Sequence, residues 1–339
     1  MGSYINPVYP FYFADPFVWK FKGVYYAVGT GPVIPKIHAG ESEMTSYRTH
    51  GEELAFPILR SADLVNWSSL GGALHVPDWA RGAAFWAPEV AVQSGKFFLY
   101  YSVATEGLHH QLRVASSSRP EGPYEDLGLL MPDAHHCPFA IDAHPFCDDD
   151  GQWYLFYARD FLDTDGGVRV GTALVVDRLL DMVRLEGNPR VVLRARHDWQ
   201  RFQANREMAM YGGTFDWHTL EGPCVRKQEG RYFCLYSGGC YLNDTYGVDY
   251  GIADAVLGPY SDAGNASGPR VMKTVPNRVL GPGHLSVVVG PDNRTEYFVY
   301  HAWDLDMTSR RMCIDRLVWT KEGPRCEGPT WTEQFMPES

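Results

Sequence analysis

Three acidic residues, Asp15, Asp142 and Glu221, stand at matching places in a pattern that recurs along this chain. Each precedes a short apolar strand, a tight turn and a second strand rich in aromatic residues. Taken singly, each is explained as a turn residue, because Asp-Pro and Glu-Gly-Pro sequences favour turns. Three acids at equivalent positions need a further reason, because burying a carboxylate is costly unless it has a partner or a task.

Carboxyl groups gathered in one poorly solvated pocket cannot all ionise easily. One group therefore keeps its proton while the others are charged. Cleavage of a glycosidic bond requires this division, since one acid protonates the leaving oxygen and one base activates a water molecule. The three residues thus indicate a hydrolytic site for sugars.

The elements that position these acids form a repeat that occurs five times, at residues 14–26, 87–101, 141–157, 221–236 and 283–300. Short strands separated by clusters of Gly, Pro, Asn and Asp predict an all-β fold, and repeats built from such strands predict a β-propeller. We expect a five-bladed β-propeller with four strands in each blade, at residues 11–75, 76–132, 133–200, 201–272 and 273–339. Residues 15, 89, 142, 221 and 284 are expected to face the central axis together.

A propeller also needs a closing contact. We expect segment 1–10 to supply an N-terminal strand that closes the ring beside the last blade, because an open sheet edge invites aggregation. Residues 1–339 then form a single catalytic domain. The length alone suggests two domains, but a propeller adds sheets around an axis instead of enlarging one core. The longer connections 31–55 and 197–218 are expected to wall the mouth of the pocket.

Composition excludes several classes of partner. A net charge of −11 argues against nucleic acid and against anionic membranes, which both need basic patches. The seven cysteines include no Cys-x-x-Cys pair, and most stand in strand-like runs, which favours buried free thiols. The first residues lack the basic and apolar regions of a signal peptide, and no apolar run is long enough to span a membrane. These features predict a cytoplasmic protein and leave its oligomeric state open.

At the three acids the sequence resembles glycoside hydrolase family 43, the five-bladed propeller arabinofuranosidases and xylosidases, and the resemblance covers essentially the whole chain. It implies that Asp15, in Ala-Asp-Pro, is the general base and that Glu221, in Glu-Gly-Pro, is the general acid. It implies that Asp142, in Ile-Asp, orients the acid and tunes its pKa. Family members invert the anomeric centre, so we expect the carboxyl groups of Asp15 and Glu221 to lie roughly 6.5–9.5 Å apart, with Asp142 nearer Glu221.

Further site residues follow from the same resemblance. Trp86 is expected to stack on the terminal sugar, since a flat apolar ring suits a sugar face. Arg310 is expected to bind a sugar hydroxyl through its fork of donors, with neighbouring arginines as alternatives. Glu89 and Ile141 are assigned to the substrate-binding pocket, where Glu89 either binds a hydroxyl or only lines the channel.

His284 takes the fifth axial position. The resemblance implies either contact with a central, largely hydrated calcium ion or a direct interaction with the acids. Calcium prefers oxygen ligands, so a Ca²⁺ ion near His284 is expected to have a structural or electrostatic role. We expect no other cofactor.

Together these features predict an inverting exo-glycosidase that releases terminal non-reducing α-L-arabinofuranose, β-D-xylose or both from small oligosaccharides of plant hemicellulose. The chain ends at residue 339 without the β-sandwich of many xylosidases of this kind, which favours arabinofuranosidase or dual activity. One alternative is a non-catalytic carbohydrate-binding propeller, which needs no acid trio. Another is a retaining fructan-type hydrolase, which needs Asn-Asp-Pro and Arg-Asp-Pro where this chain has Ala-Asp-Pro and Ile-Asp-Ala.

Overall fold

The computed structural model describes residues 2–33, 53–105, 109–131, 138–262, 264 and 266–337, and its fold is all-β, as expected. In chain order the strands are β1 (Gly2–Tyr4), β2 (Ala14–Phe21), β3 (Val24–Thr30), β4 (Leu54–Ser61), β5 (Trp67–His75), β6 (Ala84–Gln93), β7 (Lys96–Ala104), β8 (Gln111–Ser117), β9 (Glu125–Leu129), β10 (Ala140–Cys147), β11 (Trp153–Phe161), β12 (Gly171–Asp181), β13 (Arg184–Leu185), β14 (Arg190–Leu193), β15 (Arg201–Met208), β16 (Gly213–Gln228), β17 (Arg231–Gly238), β18 (Gly247–Ala253), β19 (Leu280–Val289), β20 (Glu296–Trp303), β21 (Arg310–Thr320), β22 (Gly323–Cys326) and β23 (Gln334–Met336). Short 3-10 helices lie at Asp78–Ala80, Asp165–Gly167, Asp198–Gln200 and Ala209–Tyr211. None of the helices in these ranges has the length and hydropathy that a bilayer crossing requires.

The strands form antiparallel meanders, here called units I to V. Unit I is β2-β3-β4-β5, unit II is β6-β7-β8-β9 and unit V is β19-β20-β21-β22. Unit III is β10-β11-β12, with β13 and β14 paired to β12, and unit IV is β16-β17-β18. A short parallel pairing of β12 with β16 joins units III and IV into one nine-stranded sheet. The predicted blade boundaries at 75/76, 200/201 and 272/273 fall in connections between these units, and the boundary at 132/133 lies outside the described residues.

In units I and II the first two strands are joined by a turn that the local sequence dictates. The central residues Lys22 and Gly23 have φ angles of 49° and 79°, and Ser94 and Gly95 have 51° and 77°. Two consecutive positive φ angles are the type I′ geometry, whose twist matches that of the flanking strands. Glycine at the second position adopts this geometry without steric cost.

The first strands of the units lie side by side. β2 contacts β6, β6 contacts β10, β10 contacts β16, β16 contacts β19, and β19 in turn contacts β2. Because the predicted acids lie on these first strands, the contacts bring them together from distant parts of the chain.

The hydrophobic core is divided among the interfaces between neighbouring units. Within the described ranges, Tyr25 of unit I shares one buried cluster with Tyr297 of unit V, and Val28 shares another with Leu99 of unit II. A chain of 339 residues is thus stabilised by separate clusters between sheets, not by one core that must grow with chain length. The six cysteines in these ranges are free and four of them are buried, which confirms the prediction of free thiols.

The N-terminal segment contacts unit V, although not as an added strand of its sheet. β1 pairs with β23 in a separate two-stranded sheet. Beyond β1, Asn6 Nδ2 donates to the carbonyl of Ile314 at 2.8 Å, and the Val8 N–H donates to the carbonyl of Met312 at 2.9 Å. In the part of the chain that the structure describes, residues 6–8 therefore lie along β21.

Candidate active site

Each first strand is interrupted at the same point by a β-bulge. In unit I the pairing with the second strand skips from Ala14 to Phe17, and the first skipped residue has a left-handed backbone. The equivalent residues and their φ angles are Asp15 (51°), Ala87 (45°), Asp142 (60°), Gly222 (56°) and His284 (49°). A non-glycine residue held at such an angle costs about 1–3 kcal/mol, and bulges are over-represented beside active sites.

Two members of the predicted axial ring are offset from the bulge, although their charges still act on His284 and Asp142. In units II and IV the bulge residues are Ala87 and Gly222, so that Glu89 follows its bulge residue by two positions and Glu221 precedes its bulge residue by one. Sequence comparison of the repeats does not reveal these offsets, because a bulge is defined by the pairing of its strand with another strand.

In units I, II and V the N–H of the bulge residue donates to a side chain on the second strand of the neighbouring unit. The Ala87 N–H donates to Thr30 Oγ1 at 2.8 Å, and the His284 N–H donates to Ser237 Oγ at 2.7 Å. These hydrogen bonds satisfy backbone groups that the bulge removes from sheet pairing, and they connect unit I to unit II, unit IV to unit V and unit V to unit I.

Unit III departs from this pattern, and the departure positions the carboxylate of Asp142. Ala158 occupies the register of the acceptor side chains, and its methyl group cannot accept a hydrogen bond. The Gly222 N–H donates instead to Asp142 Oδ2 at 2.9 Å. A Cβ atom at position 222 would lie 3.2 Å from the ring of His284, so glycine permits both the close approach and the positive φ. The Asp142 carboxylate is thereby held beside the backbone of Glu221.

Asp15 lies among three basic side chains. Its N–H donates to His301 Nδ1 at 3.0 Å, and its Oδ1 lies 3.3 Å from that nitrogen, 3.4 Å from His284 Nδ1 and 3.5 Å from Arg310 Nη1. Burial alone would raise the pKa of Asp15, but nearby basic groups, His284 and Arg310 first among them, outweigh it and hold this pKa well below its usual range. Asp15 is therefore ionised at neutral pH, as a general base must be.

Glu221 has the opposite environment. Burial raises the pKa of Glu221 to about 7, and the neighbouring carboxylate of Asp142 adds to the rise. Tyr246 Oη donates to Glu221 Oε1 at 2.7 Å, which lowers this pKa and offsets the rise only in part. Near neutral pH Glu221 therefore still carries a proton in a large fraction of molecules, as a general acid must.

Asp142 titrates between these two extremes. Burial raises the pKa of Asp142 to about 6, and the negative charge of Asp15 adds to the rise. His284 and the hydrogen bond from Gly222 lower this pKa and offset the rise only in part. The pKa of Asp15 thus lies well below those of Asp142 and Glu221, which are both raised. The assignment of Asp15 as base and Glu221 as acid stays a prediction.

His284 interacts directly with the acids, which was one of its two predicted roles. Its Nδ1 lies 3.4 Å from Asp15 Oδ1 and 4.0 Å from Asp142 Oδ2. Burial would lower the pKa of His284, but the nearby carboxyl groups, Asp15 and Asp142 first among them, raise it above its ordinary value, which favours the imidazolium form. Across the described ranges no three His, Cys, Asp or Glu side chains are grouped as a metal site. The residues as placed do not form a calcium cage, calcium stays a prediction, and no step below uses it.

Of the predicted substrate-binding residues, Trp86 is accessible and Arg310 contacts Asp15. Trp86 is 37% exposed, and one face of its ring stacks on His110 with the centroids 3.6 Å apart. Arg310 donates to Tyr12 Oη at 2.7 Å and lies 3.5 Å from Asp15 Oδ1, so its charge acts on Asp15 directly. Binding of sugar by Trp86 and Arg310 stays a prediction.

The other two, Glu89 and Ile141, are buried. Glu89 Oε2 accepts a hydrogen bond from His144 Nδ1 at 2.7 Å, and His144 Nε2 accepts one from the Val225 N–H at 3.0 Å. This chain of hydrogen bonds links units II, III and IV. Ile141 belongs to the hydrophobic cluster between units III and IV. Both side chains therefore have structural contacts, and a direct contact of either with substrate stays a prediction.

The connection 197–218, expected to wall the pocket, contains the hairpin of β15 and β16, which extends the first strand of unit IV beyond its sheet. The ring of Phe202 on β15 lies 6.1 Å from that of Tyr241, and the guanidinium of Arg310 lies 4.9 Å from the centroid of Tyr241. Through Tyr241 the hairpin is thus linked to the arginine beside Asp15. Most of the other predicted wall, connection 31–55, lies outside the described residues.

Two residues of the site, Tyr246 and His301, were not predicted from the sequence. Both are buried and each contacts one of the two principal acids. His301 stands in an aromatic strand, where a lone polar residue is a weak signal of function. Tyr246 has no local feature that distinguishes it from the tyrosines of the core.

The chain is similar over most of its length to known glycosidases. The family model for glycosyl hydrolases family 43 matches residues 4–324. The chain is 30% identical over 335 residues to the β-D-galactofuranosidase xynD of Aspergillus niger, covering 94% of this chain and 83% of that protein. It is 25% identical over 290 residues to the extracellular exo-α-(1→5)-L-arabinofuranosidase ArbA of Cellvibrio japonicus, covering 78% of each. The crystal structure of a thermostable family-43 glycoside hydrolase superposes with a TM-score of 0.80 at 30% identity, over 99% of both chains. With the family model matched over nearly its whole length, this chain belongs to glycoside hydrolase family 43.

Proposed function

We propose that this glycoside hydrolase is an inverting exo-glycosidase that releases terminal non-reducing α-L-arabinofuranose or β-D-xylose from oligosaccharides. The separated pKa values of its acids support the proposal most directly. Near neutral pH, Asp15 is ionised while Glu221 retains a proton, so that one site offers a base and an acid at the same time.

In the proposed reaction Asp15 removes a proton from a water molecule as the water oxygen bonds to the anomeric carbon. Glu221 gives its proton to the glycosidic oxygen as the bond between this oxygen and the anomeric carbon breaks. The products are a sugar of inverted configuration and an alcohol, and proton exchange with solvent restores both carboxyl groups. Inversion requires a separation of roughly 6.5–9.5 Å between the two carboxyl groups, against roughly 5–5.5 Å for retention.

We also propose that units I to V are the blades of a five-bladed propeller. The contact of β19 with β2 supports a closed arrangement, and the bulge repeated in every first strand supports the equivalence of the five units. In such an arrangement the bulge residues face one axis. The hydrogen bonds of residues 6–8 to β21 support a part for the N-terminal segment in closure.

A second candidate sugar is β-D-galactofuranose, because the relative from Aspergillus niger carries the name of a β-D-galactofuranosidase. Its ring has the configuration of α-L-arabinofuranose and differs by one additional hydroxylated carbon outside the ring. The choice between the two furanosides therefore depends on the room that the pocket leaves beside this exocyclic carbon.

The test is hydrolysis of three p-nitrophenyl glycosides: the α-L-arabinofuranoside, the β-D-xyloside and the β-D-galactofuranoside. We expect turnover of the arabinofuranoside or the xyloside, and proton NMR should show the inverted anomer first. Turnover of the galactofuranoside alone would replace the proposed sugar. A first-formed anomer of retained configuration would contradict the mechanism, and folded protein that binds these sugars without cleaving any would support the non-catalytic alternative.

The roles of the acids are tested with Asp15→Asn and Glu221→Gln. A positioned acid or base typically contributes about 10²–10⁴-fold to the rate. Because p-nitrophenolate leaves without protonation, Glu221→Gln should lose far more activity on an oligosaccharide than on a p-nitrophenyl glycoside, whereas Asp15→Asn should lose activity on both. Asp177→Asn is a matched control in unit III, since Asp177 is a buried carboxylate that accepts the Gly187 N–H at 2.9 Å away from the acids.

A further inference from the structure

Two buried rings with parallel planes contact the general base and the general acid of the proposed reaction, one ring each. Tyr246 and His301 are 1% and 0% exposed, their planes differ by 4°, and their centroids are 5.8 Å apart. They come from different units, since Tyr246 immediately precedes β18 and His301 lies on β20. Neither residue is explained by sheet pairing or by the hydrophobic clusters alone, because each directs a polar atom at a carboxylic acid.

His301 holds the base through the backbone. The Asp15 N–H donates to His301 Nδ1 at 3.0 Å, which places the ring proton on Nε2. Burial lowers the pKa of His301 to about 4, so the imidazole stays neutral and remains an acceptor at neutral pH. Asp15 has a φ of 51°, and the bond to His301 stabilises this unfavourable conformation. His301 Nε2 is buried and has no partner among the described residues.

Tyr246 holds the acid through the side chain. Its hydroxyl donates to Glu221 Oε1 at 2.7 Å. The ring packs closely against Gly283, since a Cβ atom added at this position would lie 2.3 Å from Tyr246 Cε1. The ring of His301 lies parallel to it and limits its tilt. His301, which accepts the Asp15 N–H, thus also limits where the hydroxyl of Tyr246 can lie.

Resting on the function proposed above, we propose that Tyr246 and His301 act as one positioning unit that fixes the general acid and the general base relative to each other. His301 sets the backbone of Asp15, Tyr246 sets the carboxyl group of Glu221, and their ring contact couples the two settings. Neither ring is assigned a step of proton transfer with the substrate.

The first test is Tyr246→Phe, which keeps the ring and removes the hydroxyl. The hydroxyl stabilises the ionised form of Glu221, so its loss should raise the pKa of Glu221 and move the alkaline limb of kcat/KM to higher pH by about one unit. We also expect kcat to fall about tenfold, because the acid loses its orientation. The other groups that act on Glu221 stay in place: Asp142, Asp15, His284, Tyr241 and Cys240.

Tyr300→Phe is the matched control. Tyr300 is fully buried on β20 and donates to the buried Asp315 Oδ2 at 2.7 Å, so its variant loses the same kind of bond at the same distance. A purely structural effect would lower activity in both variants and leave the alkaline limb in place. Movement of the limb in Tyr246→Phe alone supports positioning of the acid, and an unmoved limb in both overturns it.

The second test separates the two functions of His301. His301→Asn keeps an acceptor near the place of Nδ1 but removes the ring, whereas His301→Phe keeps a ring and removes the acceptor. We expect the Asn variant to shift the alkaline limb in the direction of Tyr246→Phe, because Tyr246 loses its stacking partner. The Phe variant should keep the limb and lose about tenfold in kcat, because Asp15 loses its acceptor. Equal behaviour of the two variants would contradict the coupling.

A readout without substrate separates this inference from the proposed function. In protein labelled with ¹³C at the glutamate carboxyls, the signal missing from Glu221→Gln identifies Glu221, and its titration gives the pKa directly in the wild type and in Tyr246→Phe. If no glycoside is cleaved but the titration rises in the variant, the proposed function fails and the contact with the acid stands. If glycosides are cleaved and the titration does not move, the positioning unit is wrong and the glycosidase stands.

Discussion

Replacing Asp142 by Asn should move the alkaline limb of the pH–rate profile to lower pH. Burial raises the pKa of Glu221 to about 7, and the negative charge of Asp142 adds to this rise. Asparagine retains an oxygen that can accept the Gly222 N–H, but it carries no charge. The ionised form of Glu221 then becomes less unfavourable, and its pKa falls. We expect a fall of about one unit, because burial, the larger cause, persists in the variant.

The size of the effect on the rate follows from this fall. With the pKa of Glu221 lowered by about one unit from about 7, the protonated fraction at about pH 7 drops from about one half to about one tenth. At about pH 5 this acid stays largely protonated in both proteins. Asp142→Asn should therefore lose about fivefold more activity at about pH 7 than at about pH 5. The assay is kcat/KM on the oligosaccharide that the wild type cleaves, since its poor leaving group needs the acid.

An alkaline limb that stays in place, or that moves to higher pH, would refute the reasoning that the charge of Asp142 raises the pKa of Glu221. Asp177→Asn neutralises another buried carboxylate of unit III and should leave both limbs where they are. Loss of activity by the same factor at every pH would indicate that Asp142 only orients its neighbours.

Other substitutions test the remaining contacts. Gly283→Ala should lower kcat strongly, because a Cβ atom 2.3 Å from Tyr246 Cε1 displaces the hydroxyl group that donates a hydrogen bond to Glu221. Wild-type kinetics in this variant would contradict the expectation. Arg310→Ala should raise the pKa of Asp15 and move the acidic limb to higher pH, whereas Arg310→Lys, which keeps the charge, should move it less. Glu221→Gln should raise Tm by a few degrees at about pH 8 but not at about pH 4, since a carboxyl group whose pKa is raised by folding costs stability only above its unfolded pKa. Asp15→Asn should lower Tm at about pH 8, because the lowered pKa of Asp15 contributes stability that is lost only as the pH falls through its folded value. Thermal unfolding of both variants at the two pH values tests the direction of each change in Tm. A decrease of Tm at about pH 8 in Glu221→Gln would contradict the prediction for Glu221.

Local features of the sequence sufficed for the strands, the turns and the acids. Strand alternation and a turn such as Lys22-Gly23 depend on neighbouring residues, so they are legible without tertiary structure. Equivalent positions in repeated units likewise identified Asp15 and Asp142, because each unit places the same position on the same strand. The all-β fold and the family could be predicted for this reason.

The tertiary structure alone decided the registers and the electrostatics. The bulges show that Ala87 and Gly222 are the structural equivalents of Asp15 and Asp142, which no local signal marks because the skipped residue is defined by pairing with another strand. Whether a carboxyl group is charged depends on burial and on charges a few ångströms away, and for Asp15 these come from β19, β20 and β21. The contact of Tyr246 with His301 joins two units and exists only once the sheets have packed. The sequence by itself therefore determined which residues could do the chemistry, and packing determined the electrostatic environments on which the proposed roles of Asp15 and Glu221 depend.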